Sequence, residues 1–111
     1  LKIKKMKKLV ILESPYAGYV EENVKYAKEA MRDSLSRGEC PIASHLLYTQ
    51  GGILDDNDSV QRQLGINAGH EWLKVCEAIV IYQDRGISDG MQAAIMKAQE
   101  LGVDRIYRTI R

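Results

Sequence analysis

Two spacings of apolar residues take turns along this chain. Leu9-Val10-Ile11-Leu12 and Ala78-Ile79-Val80-Ile81-Tyr82 are unbroken apolar runs, rich in β-branched residues, as strands covered on both faces require. Between and after them the period lengthens to that of a helix. Val20, Val24, Ala27, Met31 and Leu35 predict a helix over Glu21–Arg37, with Glu21 and Glu22 suited to its dipole and Gly38 ending it. Met91, Ile95, Ala98 and Leu101 predict another, opened by Ser88 as N-cap and closed by Gly102. A third helix is expected from Val60 to about Cys76, capped by Asp58 or Ser59 and placing Trp72, Leu73 and Val75 in the core. It carries Gly65 and Gly69, each costing about 1 kcal/mol relative to alanine, so a neighbouring helix or a second subunit is expected to approach that face closely.

Two shorter strands complete the set: Glu39–His45, beside Pro41, and Arg105–Thr109, entered through Gly102-Val103-Asp104. Strands and helices therefore alternate with short connections. That order predicts an α/β domain, a small parallel sheet of four or five strands with helices on both faces and the first strand central. Residues 9–111 are expected to form this single domain, behind a basic tail at residues 1–8.

Composition narrows the classes of partner. In 111 residues the net charge is +1 and charged residues make up 28%, so no overall field points to nucleic acid or an anionic membrane. With no Phe, one Trp and six Tyr, there is little to stack bases upon. Cys40 and Cys76 have neither the spacing of a zinc site nor that of a disulfide framework, which suggests a reduced, cytoplasmic setting. Five lysines in the first eight residues precede an apolar run of only four, too short for a signal-peptide core or a membrane span. Met6 is a candidate start, with Leu1–Lys5 an upstream extension.

Candidate chemistry lies where strands give way to helices, because free backbone N–H groups and the helix dipole face the crevice at that edge of an open sheet. Gln83-Asp84-Arg85-Gly86-Ile87-Ser88-Asp89-Gly90-Met91 is one such junction, with the amides from Gly86 to Gly90 at the helix start. Ser14-Pro15-Tyr16-Ala17-Gly18 is a second, equally readable as a plain turn. Asn23 is placed to brace that loop or to meet a ligand. His45, expected at the end of a strand on the same edge, is a candidate acid or base, or a histidine held by neighbouring backbone. Arg62 and His70 are further polar candidates. Asp55, Asp56 and Asp58 are spaced somewhat like a calcium loop but lack its glycine and distal glutamate, so neither a metal nor a cofactor is expected.

Laid out in full, these residues carry a resemblance. Ser14–Gly18, Asn23, Gly38-Glu39-Cys40-Pro41, Ser44–Gln50, Leu54-Asp55-Asp56, Arg62, Gly65-Ile66, Ala68-Gly69, Trp72, Tyr82 and Asp84–Met91 together resemble the nucleoside 2-deoxyribosyltransferase-like superfamily, more closely a small phage and bacterial branch of it. The resemblance implies a flavodoxin-like, Rossmann-like three-layer sandwich, a homo-oligomer with its site near a subunit interface, and cleavage or exchange of an N-glycosidic bond in a nucleoside or nucleotide. It also implies a nucleophilic glutamate at the start of the last helix. Here that place holds Gln92 or Ala94, and neither can form a glycosyl ester. Three readings stay open: another carboxylate, Asp84, Asp89 or Glu39, does the work; the glutamate was replaced to trap a ligand; or the protein binds without cleaving. On the catalytic reading Asp84, His45 and Glu39 act, while Ser14, Tyr16, Ala17, Gly18, Asn23, Gly86, Ser88, Asp89, Gly90 and Met91 hold the ligand. On the binding reading the chain sequesters a nucleotide or an ADP-ribose-type signal, in the manner of a phage anti-defence protein.

Overall fold

A computed structural model describes residues 8–111; the lysine-rich tail, apart from Lys8, lies outside the described residues. The elements run β1 (Lys8–Glu13), α1 (Val20–Ser36), β2 (Glu39–Ile42), α2 (Ser44–Leu47), α3 (Ser59–Trp72), β3 (Ala78–Tyr82), α4 (Asp89–Leu101) and β4 (Asp104–Arg108). Four parallel strands form one sheet in the order β2-β1-β3-β4. The two unbroken apolar runs are its centre, paired from Val10 with Ala78 to Glu13 with Ile81. Pro41 is accommodated because β2 is an edge strand with one side free of ladder bonds.

Strand alternation divides the core into two. Val10, Leu12, Val80 and Tyr82 pack with Tyr26 and Ala30 of α1, while Ile11, Ile79 and Ile81 pack with Leu73 and with Met91, Ala94, Ile95 and Ala98 of α4. Helices therefore cover both faces, giving the three-layer architecture. No helix among the described residues is long and apolar enough to cross a membrane.

The helices depart from the sequence expectation in their facing and length. Along α1 the buried positions are Asn23, Tyr26, Ala27, Ala30 and Ser34, whereas Val20 and Leu35 are exposed. The face is rotated because three polar groups reach partners outside the helix: Asn23 the carbonyls of Tyr16 and Ala17, Tyr26 the Asp84 carboxylate, and Ser34 the Glu39 carboxylate. Helix α3 ends at Trp72 rather than Cys76, since the N–H groups of Leu73, Lys74 and Val75 each bond three residues back and tighten into turns. Of the three residues expected in the core there, only Leu73 is buried. Trp72 lies at the surface and donates its indole N–H to Tyr48 Oη at 3.0 Å.

Candidate functional site

The loops after β1 and β3 are neighbours because their strands are. Asn23 ties them together: its amide nitrogen donates to Tyr16 O at 3.0 Å and Ala17 O at 3.2 Å, and its amide oxygen accepts from Arg85 Nε at 2.8 Å. At this edge a cavity of about 280 Å³ opens between the ends of β1 and α4 and the helices α2 and α3. Ser14, Tyr16, Ala17, His45, Ser88, Asp89, Gly90 and Met91 line it, so two separate stretches and the histidine expected to join them do converge. Arg62 and His70 of α3 line it as well.

Helix α4 meets the cavity with its N-terminus. Ser88 Oγ accepts from the Met91 N–H at 3.3 Å, and the Ser88 N–H donates to Met91 Sδ at 3.3 Å. The next two amides, of Asp89 and Gly90, keep no protein acceptor among the described residues. An electronegative ligand atom would find both the free N–H groups and the positive end of the dipole there.

His45 is not at a strand end. Strand β2 stops at Ile42, and His45 belongs to the single turn α2. Its Nε2 lies 2.8 Å from Ser14 Oγ, and its Nδ1 is buried without a partner. Burial pulls its pKa down to about 4, so at neutral pH the ring is uncharged. Gly65 and Gly69 face this same turn: a Cβ on Gly69 would stand 2.6 Å from Ser44 Oγ, and one on Gly65 would stand 3.1 Å from Leu54 Cδ1. The expected close approach is thus made by the chain's own α2 and the loop after it.

Asp84 and Glu39 are placed elsewhere. Asp84 accepts from the Tyr26 hydroxyl and from the N–H groups of Ile110 (2.8 Å) and Arg111 (3.0 Å), anchoring the end of the chain. Burial works against its charge, but those donors outweigh it and hold its pKa at about 2. Glu39 faces α1, where it accepts from Arg108 Nη1 and from Ser34 Oγ, both at 2.7 Å. The Arg108 bond, against a smaller cost of burial, lowers its pKa. Gly18, Gly86 and Asn23 shape and brace the loops without lining the cavity; the two glycines hold φ of 95° and 86°, which a turn permits to glycine.

Sequence reasoning passed over Glu13, which directly follows the apolar run Leu9–Leu12. It alternates with Ile11 on the side of the sheet that meets α4, lines the cavity, and is half-buried. Burial drives its pKa up to about 8. The period of two in β1 was the available signal: it puts the carboxyl on an inward face. Along α4, Ala94 is buried on the cavity wall and Gln92 is exposed outside it, so no carboxyl enters from that helix beyond its first residue, Asp89. Among the described residues no group of three or more His, Cys, Asp or Glu side chains could hold a metal ion.

A family model described as a domain of unknown function, DUF7768, matches residues 8–108. The chain belongs to the DUF7768 family. No curated protein matches it by sequence. Among solved structures, a 2-deoxyribosyltransferase from the psychrotolerant bacterium Bacillus psychrosaccharolyticus is similar at a TM-score of 0.71 and 15% identity, over 91% of this chain and 72% of that one. A 2-deoxyribosyltransferase from Leishmania mexicana is similar at 0.64 and 13% identity, over 95% of this chain and 66% of that one. This DUF7768 chain therefore has a nucleoside 2-deoxyribosyltransferase-like fold, and at these identities the likeness is one of fold.

Proposed function

We propose that the cavity takes a nucleoside or nucleotide and that the chain acts on its N-glycosidic bond. The observation that carries this reading is the convergence, in a 2-deoxyribosyltransferase-like fold, of the Ser14–Ala17 loop, the Ser14–His45 pair and the free amides of Asp89 and Gly90 on one cavity. Its inner wall offers uncharged donors and acceptors beside apolar surface, the mixture a sugar and a base require. At the rim, the α4 N-terminus and Arg62 suit an electronegative group such as a phosphate oxygen.

A second reading has a specific observation behind it. Ala94 brings no side-chain functional group to the wall, which favours a site that holds its ligand without forming a glycosyl ester. On that reading the chain is a sequestering protein for a nucleotide or an ADP-ribose-type compound.

One assay separates the two. The protein is incubated at stoichiometric concentration with a panel of nucleosides, nucleotides and dinucleotides, then denatured, and the small molecules are identified by mass spectrometry. Free base in the supernatant is the result expected for action on the glycosidic bond. Intact ligand recovered from the protein, with no free base from any compound, overturns it in favour of sequestration.

A further inference from the structure

Three carboxyl side chains reach the cavity, and they differ in setting. Asp89 is exposed in the first turn of α4, and Asp56, in the loop before α3, has Arg62 Nε at 4.0 Å. Glu13 is the one delivered by a central strand, half-buried on the face shared with Ile11, with no ion-pair partner among the described residues. A buried carboxyl without an ion-pair partner keeps its proton, because burial penalises the charge it would acquire.

We propose that Glu13 is the general acid of this site, giving its proton to the base of a bound nucleoside or nucleotide as the C1′–N bond breaks. The inference rests on the reading that the cavity acts on an N-glycosidic bond. In the step, the Glu13 O–H bond breaks and its proton goes to a ring nitrogen or carbonyl oxygen of the base. The electron pair of the C1′–N bond leaves with the base, water adds to C1′, and the proton that water sheds restores the Glu13 acid. The products are free base and free sugar or sugar phosphate, with no oxidant or further reactant.

This assignment explains why the carboxyl absent at Ala94 does not close the chemistry. A nucleophile must be ionised, whereas leaving-group protonation needs an acid that stays neutral until the transition state. Burial supplies that condition at Glu13, whose pKa of about 8 keeps it protonated at neutral pH. His45 cannot take the part, since its ring is already unprotonated at neutral pH and Nε2 is engaged with Ser14. The remaining titratable groups on the wall are Tyr16 after β1, Tyr48 after α2, Arg62 and His70 from α3, Asp56 before it and Asp89 from α4; burial and then Lys97 lower the pKa of His70.

The test compares wild type with Glu13→Gln, an uncharged replacement of the same shape. Adenosine, 2′-deoxyadenosine, uridine and their 5′-monophosphates serve as probes, base release is followed by chromatography, and binding is followed by calorimetry. The variant is expected to bind within about threefold of wild type and to release base at least about 100-fold more slowly, the usual yield of one general acid. The wild-type rate is expected to fall above about pH 8, with a limb that the residual activity of the variant lacks. Release by the variant within about threefold of wild type overturns the role of Glu13 and leaves the glycosidic reading standing, as does a wild-type rate that is flat to pH 10. Failure of wild type to release base from any probe overturns both.

Discussion

Glu39 and Glu13 stand on adjacent strands and face opposite layers. Glu39, turned toward α1, is joined to Arg108 and Ser34, in a cluster where Arg108 also reaches the Tyr82 hydroxyl at 3.2 Å and Tyr82 donates to Asp33 at 2.6 Å. Glu13, turned toward α4, has apolar neighbours along its face and a cavity in front of it. One carboxyl is held charged, the other neutral. Burial penalises charge at both, so the difference is made by the cation. A layer built from compensated charge serves to hold the sheet; a layer with an uncompensated proton can spend it on a ligand.

The contrast is sharpest when the cation is removed. Arg108→Met leaves Glu39 buried without its partner, and a loss of about 3–5 kcal/mol is expected in chemical denaturation, with ligand affinity per folded molecule unchanged. Gly69→Ala acts on the other layer. Its Cβ meets Ser44 Oγ at 2.6 Å, so α2 must shift; about 1–3 kcal/mol of stability is lost and affinity falls with it, whereas Gly65→Ala meets the end of the flexible Leu54 side chain and costs less. Asp84→Asn removes one of two carboxylate oxygens that receive the chain end. It is expected to cost about 1–2 kcal/mol and to speed amide exchange at Ile110 and Arg111 without affecting base release.

The pH-dependent effects have signs that identify their source. Glu13 has a folded pKa of about 8 against an ordinary 4.5, so between those values the native state holds a proton that the unfolded chain has lost. Its stabilisation is whole below pH 4.5 and is lost as pH rises through 8. Glu13→Gln is therefore expected to melt above wild type at pH 8, the gap closing toward pH 4.5. His45 has the opposite slope. Its pKa falls from 6.5 to about 4 on folding, so its contribution is complete above pH 6.5 and disappears as pH drops through 4. His45→Gln should flatten the acid side of the melting profile only.

Much of the architecture was legible because apolar runs and helix signals agreed. The runs at Leu9–Leu12 and Ala78–Tyr82 are the central strands, and Ser88 and Gly102 bound α4 as expected. The facing of α1 was hidden, because its buried side is chosen by the polar side chains of Asn23, Tyr26 and Ser34, whose partners lie outside the helix and leave no mark on its apolar period. The candidate site divided for the same reason. Loops leaving adjacent strands must meet, so Ser14–Ala17 and Ser88–Met91 could be placed together from topology alone. Asp84 and Glu39 could not be told from ligand-facing acids, since Ile110, Arg111 and Arg108 capture them from the far end of the chain. Glu13 was missed by reading a strand's length without its parity.

Asn23 joins α1 to both loops at the carboxyl edge of the sheet. Rooted in the helix behind the sheet, its one amide holds the loop after β1 to Arg85 of the loop after β3. A displacement of α1 therefore reaches the loops at the mouth through Asn23 as well as through the Tyr26–Asp84 bond, so the rear layer and the entrance are mechanically joined.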